Sequence, residues 1–146
     1  MKLRTSLLPL ATIVLLSWGC KKDNPTGVPL TAVDIYINVN LPEYNSISTV
    51  GGWAYITGGS EGLIVYRKAV DGFTAMDRHC PVQPQDLCKV TVDNNDILAI
   101  DTTCCHCSFL LMDGTLVSNP DGVDGAGVGL KVYNTTFNGT TLHIFN

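Results

Sequence analysis

Short β-branched runs cut by glycine and asparagine turns fill the chain from Val33 to its last residue, and their spacing constrains the fold more than any other feature. VDIYINVNL (33–41) alternates and is β-branched, as a half-buried strand is. GGWAYITGG (51–59) and EGLIVYRKA (61–69) read as a hairpin divided by glycines. FTAMDR (73–78) follows a turn at Asp71-Gly72, and CKVTVD (88–93) and DILAID (96–101) flank a tight turn at Asn94-Asn95. SFLLM (108–112), a turn at Asp113-Gly114, TLVSN (115–119), GLKVYNTTF (129–137) and TTLHIFN (140–146) complete the series, the last two meeting around Asn138-Gly139. No window keeps a helical period for long in this region. The expectation is an all-β domain over 33–146, a small sandwich or barrel-like arrangement.

The beginning of the chain is different in kind. Lys2 and Arg4 precede LLPLATIVLLSW (7–18), an apolar run of twelve, too short to span a bilayer comfortably. It reads as the core of a signal peptide over 1–19, and it ends at LSWGC, which resembles a bacterial lipobox with Cys20 as the lipidated residue. Ordinary secretion with Cys20 incidental is the alternative. With Cys20 acylated, 20–32 is a polar tether, the lipid is the membrane contact, and the location is the cell envelope, at the inner or outer membrane. All 13 acidic residues follow Cys20; the 9 basic ones less Lys2 and Arg4 leave 7 against 13, a net charge of −6 beyond the leader. Such a balance excludes a nucleic-acid partner, which needs a basic face.

Five cysteines remain after Cys20: Cys80 and Cys88, then Cys104, Cys105 and Cys107 in the run CCHC. In an exported chain the first expectation is disulfides, but five is odd, and adjacent Cys104 and Cys105 pair with each other only through strain. The second expectation is metal. Cys104 and Cys107 have the spacing of one edge of a tetrahedral thiolate site, with a second loop supplying the rest. Spacing alone does not choose between zinc and an iron-sulfur cluster.

GGWAYITGGSEGLIVYR, FTAMDRHCPVQPQDL, CCHCSFLLMDGTLVS, AGVGLKVY and TTLHIFN follow one another as the segments of a Rieske-type iron-sulfur domain do. CPVQPQDL (80–87) lies over that family's first cluster loop, C-P-H-x-G-x-x-L, without a gap. CCHCSFLLMDG matches the second, C-P-x-H-G-x-x-F-D-x-x-G, with one residue missing, and Ala126, Leu130 and Tyr133 fit the closing G-P-A-x-x-x-L-x-x-Y. The chain resembles most closely a divergent, Bacteroidetes-type group of Rieske-like lipoproteins. The resemblance implies small stacked antiparallel sheets with two cysteine loops at one end. It also implies a [2Fe-2S] cluster between those loops, and an electron carrier, not an enzyme, serving a redox partner protein.

Val82 stands where the family has its first histidine, and it cannot bind iron. In the direct register Cys104 takes the second-loop cysteine position and Cys107 the histidine position; shifted by one, His106 takes the histidine position and Cys105 becomes a bridging cysteine. Three states follow. One is an all-thiolate site of Cys80, Cys88, Cys104 and Cys107 holding [2Fe-2S] or zinc. A second is a mixed site using His106 or His79, of which His79 points away from Cys80 if the local chain is extended. The third is a cluster-free fold held by disulfides and acting as a non-redox binding or structural module.

The remaining features read as structure. Asp121 and Asp124 in SNPDGVDGAGVG (118–129) lack the EF-hand spacing, so a solvated turn is expected. Asn134 and Asn138 match glycosylation acceptors formally and read as turn residues. His143 is expected to be an ordinary strand side chain, and Trp53, Tyr55, Tyr66 and Tyr133 to pack in a core. No Ser-His-Asp order, nucleophile elbow or H-E-x-x-H occurs.

Overall fold

The structure, a computed structural model, describes residues 24, 26–123 and 128–146. The expected signal segment, Cys20 and Asp124 lie outside them. Among the described residues ten strands form: β1 (Asp34–Asn38), β2 (Trp53–Ile56), β3 (Leu63–Arg67), β4 (Phe73–Asp77), β5 (Thr91–Val92), β6 (Leu98–Ile100), β7 (Ser108–Leu110), β8 (Leu116–Ser118), β9 (Val132–Phe137) and β10 (Thr141–Phe145). Two 3-10 turns, Pro42–Ile47 and Pro84–Asp86, are the helical pieces among the described residues. The all-β expectation holds, and each strand falls inside a run predicted from the sequence. No helix among the described residues is long and apolar enough to cross a membrane.

The strands make two antiparallel sheets, one of six in the order β1-β10-β9-β4-β3-β2 and one of four in the order β5-β6-β7-β8. The first and last strands are neighbours, with Ile35 opposite Ile144 and Ile37 opposite Leu142. Alternation assigns the faces. On β10, Leu142 and Ile144 are buried, while His143 on the other face stacks on Tyr36 with ring centroids 4.0 Å apart and on Phe145 at 4.6 Å.

The central strands β3 and β4 are buried on both faces. Leu63, Val65, Phe73 and Ala75 enter a core shared with Ile37, Ile47, Leu142 and Ile144. Ile64 and Met76 point the other way, into a second core with Phe109, Leu111, Val82, Val90 and four cysteines. Period-2 alternation thus lets one strand pair serve two cores. Tyr133 is in the first core as expected, and Trp53 and Tyr66 pack half-buried against the second. Tyr55 departs from expectation. It is 42% exposed, lies under the Arg78 guanidinium at 3.8 Å, and its hydroxyl accepts the Val92 N–H at 2.9 Å.

Asp77, at the end of β4, is a fully buried carboxylate that ties three elements together. It accepts from the Tyr133 hydroxyl at 2.7 Å, from the N–H groups of Ser60 (2.7 Å) and Glu61 (3.2 Å) in the β2–β3 turn, and from the His79 N–H (3.0 Å). Burial, then the bond to Asp77, pushes the Tyr133 phenol well above its ordinary value. Gly59 has φ +65°, and a Cβ there would lie 2.5 Å from the Asp77 carboxylate, so this turn requires glycine.

Candidate metal and disulfide centre

The first cysteine loop leaves β4 at Arg78 and closes on itself. The Cys80 N–H donates to the Cys88 carbonyl at 2.8 Å, and His79 bridges to Lys89 just outside it. Gln83 and Leu87, both at φ 55°, reverse the chain on either side of Pro84–Asp86. His79 holds the loop from within. One ring nitrogen, Nε2, lies 2.7 Å from the Pro84 carbonyl, and Nδ1 lies 2.8 Å from Ser60 Oγ. A carbonyl only accepts, so Nε2 donates to it. Both ring nitrogens of His79 are thus engaged within the protein, holding the first loop to the β2–β3 turn.

The second loop joins β6 to β7 and is wound around Asp101. Oδ1 of this buried carboxylate accepts from the N–H groups of Thr103 (2.9 Å) and Cys104 (3.0 Å) and from the Thr103 hydroxyl (3.1 Å). Oδ2 lies 3.5 Å from both the amide nitrogen and the Sγ of Cys105. The Asp101 N–H closes the loop on the Cys107 carbonyl at 2.9 Å. Burial opposes the charged form of Asp101; the bonds from Thr103 and Cys104 outweigh it and hold the carboxyl below the usual range.

The loops meet. Cys88 and Cys104 form a disulfide, their Cα atoms 6.3 Å apart and 16 residues apart in sequence. Beside it, the fully buried thiols of Cys80 and Cys105 are in contact at 3.5 Å. Cys107 Sγ lies 3.4 Å from both the Cys105 carbonyl oxygen and Asn119 Oδ1, which share its single S–H donor. His106, at φ 51°, turns outward to Asp121, with Nδ1 2.8 Å from the carboxylate. That contact raises the His106 pKa and gives Asp121 a structural partner in the 118–129 loop.

Burial pushes the Cys80 thiol upward, and the neighbouring Cys105 and Asp101 add to the effect. Burial first, then Cys105, push Cys107 up to about 12. Such thiols are protonated at neutral pH and are poor nucleophiles.

Two Cys/Asp groups here could bind a metal. Donor atoms of Cys80, Asp101 and Cys105 lie within 4.8 Å of one another, and so do those of Cys88, Asp101 and Cys104. Of the residues singled out from sequence, the structure brings Cys80 to Cys105 and Cys88 to Cys104. Cys107 sits at the edge of the group and His106 faces away. With Cys88 and Cys104 joined, the four thiolates of an all-thiolate [2Fe-2S] centre are not present together. The buried Val82 side chain offers no nitrogen in their place, so the donor set as it stands does not fit that cluster. Sequence reasoning gave Asp101 no role, although an Asp with Thr at the second position after it is a turn-forming pattern. It also left Cys105 outside the all-thiolate set, although the loop turns the sulfurs of Cys104 and Cys105 to two different partners. No family model and no curated protein matches the chain.

Proposed function

We propose that this chain is a lipid-anchored protein of the bacterial cell envelope, carrying a Rieske-like β domain that acts as a non-redox binding or structural module. The Cys88–Cys104 bridge carries this reading. It joins the two loops through sulfurs that an iron-sulfur centre would need as thiolates, and it suits the oxidising compartment that a signal peptide implies. Closing a loop of this length contributes about 3 kcal/mol to stability. Beside the first loop lies an open hollow of about 520 Å³, lined by Tyr55, the 58–62 turn, Arg78 and Lys89, which offers a polar surface for a partner.

Isolation of the exported chain from envelope fractions, with metal analysis, a visible spectrum and thiol counting, tests the proposal. The expected protein is colourless and iron-free, with three free thiols among the five cysteines after Cys20 and all five free after reduction. A brown protein with two irons per chain would overturn it.

That second outcome has one observation behind it: both Cys/Asp groups share Asp101, so reduction of the bridge would leave four thiols around one carboxylate. The alternative is then an electron carrier whose [2Fe-2S] cluster is held by Cys80, Cys88, Cys104 and either Cys107 or Cys105. All-thiolate ligation would give it a lower potential than a histidine-ligated centre has. Anaerobic reconstitution with iron and sulfide under reductant tests for it; a cluster that forms and reduces reversibly supports the alternative, and iron that stays unbound ends it.

A further inference from the structure

We propose that Cys80, Asp101 and Cys105, with Cys107 as fourth ligand, bind one zinc-class divalent ion while the Cys88–Cys104 bridge stays intact. This deepens the stapled-module reading by giving its free thiols a ligand, and it rests on that reading for the state of the bridge.

The distances carry it. Two sulfurs on tetrahedral zinc at about 2.3 Å lie about 3.8 Å apart, and a sulfur and a carboxylate oxygen about 3.6 Å apart. The Cys80–Cys105 sulfurs are separated by 3.5 Å, and Cys105 Sγ and Asp101 Oδ2 also by 3.5 Å. Two edges of the tetrahedron therefore need shifts of a few tenths of an ångström at most. Cys80 and Asp101 donors complete the third edge within 4.8 Å. The donors come from two loops already fixed to each other by the adjoining bridge, so the order a metal site requires is in place before the ion arrives.

Electrostatics favours the same occupant. Asp101 is completely buried, yet it takes part in none of the ion pairs among the described residues, which are Lys89–Glu61, His106–Asp121 and His143–Asp34. A buried carboxylate served only by N–H, O–H and S–H groups gains from a cation. Two or three thiolates with one carboxylate suit zinc, whereas calcium and magnesium require oxygen ligands. Cys107, buried two residues along the same loop from Cys105, reaches the ion by turning its thiol from the Cys105 carbonyl and Asn119. Binding releases one proton to solvent from each thiol engaged.

The test uses the full exported chain, denatured in acid without reductant, which keeps the free thiols protonated and the bridge in place, and refolded in Co²⁺. One equivalent is expected to produce sulfur-to-cobalt charge-transfer absorption and the strong visible bands of tetrahedral cobalt, both erased by one equivalent of Zn²⁺. The bands should vanish in Cys105→Ala and survive in the Cys88→Ser/Cys104→Ser double variant. If Cys105→Ala does not fold, proton release by the unaltered chain on zinc binding serves instead: two or three protons per ion support the site and none contradicts it. No cobalt bands, bands that persist in a folded Cys105→Ala, or bands that need the bridge reduced would overturn the inference. A colourless, bridged protein without cobalt bands would contradict this inference alone; iron in the isolated protein would contradict the stapled-module reading.

Discussion

Among the described residues, four of the twelve buried in the core that includes Phe109 and Leu111 are cysteines, whereas the core that includes Ile37, Leu63 and Ile144 has none. The strands differ in the same sense. In the six-stranded sheet they run for four to six residues and pair over four or five positions, except at the β4–β9 junction, which has two. In the four-stranded sheet β5 has two residues and β6, β7 and β8 three each. Strands that short form few ladder bonds and cover little apolar surface, so they do not hold a sheet unaided. The large sheet is held by hydrocarbon burial and strand pairing. The small one depends on what its loops do: the bridge, the Asp101 turn and the paired thiols.

This contrast can be broken or sharpened by substitution. The largest effect belongs to the hydrocarbon core. Ile144→Ala should cost about 4 kcal/mol in urea unfolding, with or without reductant. A cost that depends on reductant would mean that the two halves do not differ as described. Next comes the bridge. Cys88→Ser with Cys104→Ser should cost about 3 kcal/mol, and amide exchange should show the loss in β5–β8 first, with β1, β9 and β10 still protected. Uniform loss of protection would make the domain one cooperative block.

Smaller effects sit where the sheets join. Tyr55 accepts from the Val92 N–H, and Trp53 Nε1 donates to Asp96 at 2.7 Å, two hydrogen bonds linking β2 to the small sheet. Tyr55→Phe should cost about 1 kcal/mol and loosen β5 selectively by amide exchange. Smallest is the acid response. Bonds from the Leu98 N–H, opposed by slight burial and helped by Ile97 and Asn95, lower the Asp93 pKa. The stability this adds is present above the unfolded value of about 3.9 and is lost as the pH falls through the folded value. The small sheet of Asp93→Asn should therefore be weaker than that of the parent at neutral pH and should lose less on acidification. Equal acid sensitivity in the two proteins would remove Asp93 from the account.

The strands were legible because alternation is local: Ile35, Ile37, Leu142 and Ile144 announce their faces within a few residues of chain. Their order in the sheets was not, because nothing near Asp34 says that it will lie opposite Phe145. Turn chemistry was half legible. Asn138 accepts from the N–H groups of Thr140 and Thr141 in the β9–β10 turn, as its type suggests, whereas Asn134 lies inside β9, paired with Phe145. At the cysteine end, composition gave the participants but not their pairing. Which of two adjacent sulfurs meets Cys80 and which meets Cys88 depends on how Asp101 winds the backbone, a three-dimensional fact without a periodic trace in sequence. Asp77 was missed for the same reason, since its partners come from β9, the β2–β3 turn and the start of the first loop.

Peptide mapping of the unreduced, alkylated protein tests the central claim most directly, that two loops distant in sequence meet with Cys88 joined to Cys104 and Cys80 placed against Cys105. The predicted result is a crosslinked pair of peptides containing Cys88 and Cys104, with Cys80, Cys105 and Cys107 recovered alkylated only after unfolding. A bridge from Cys88 to any other cysteine, or a Cys80 that alkylates readily in the folded protein, would contradict it.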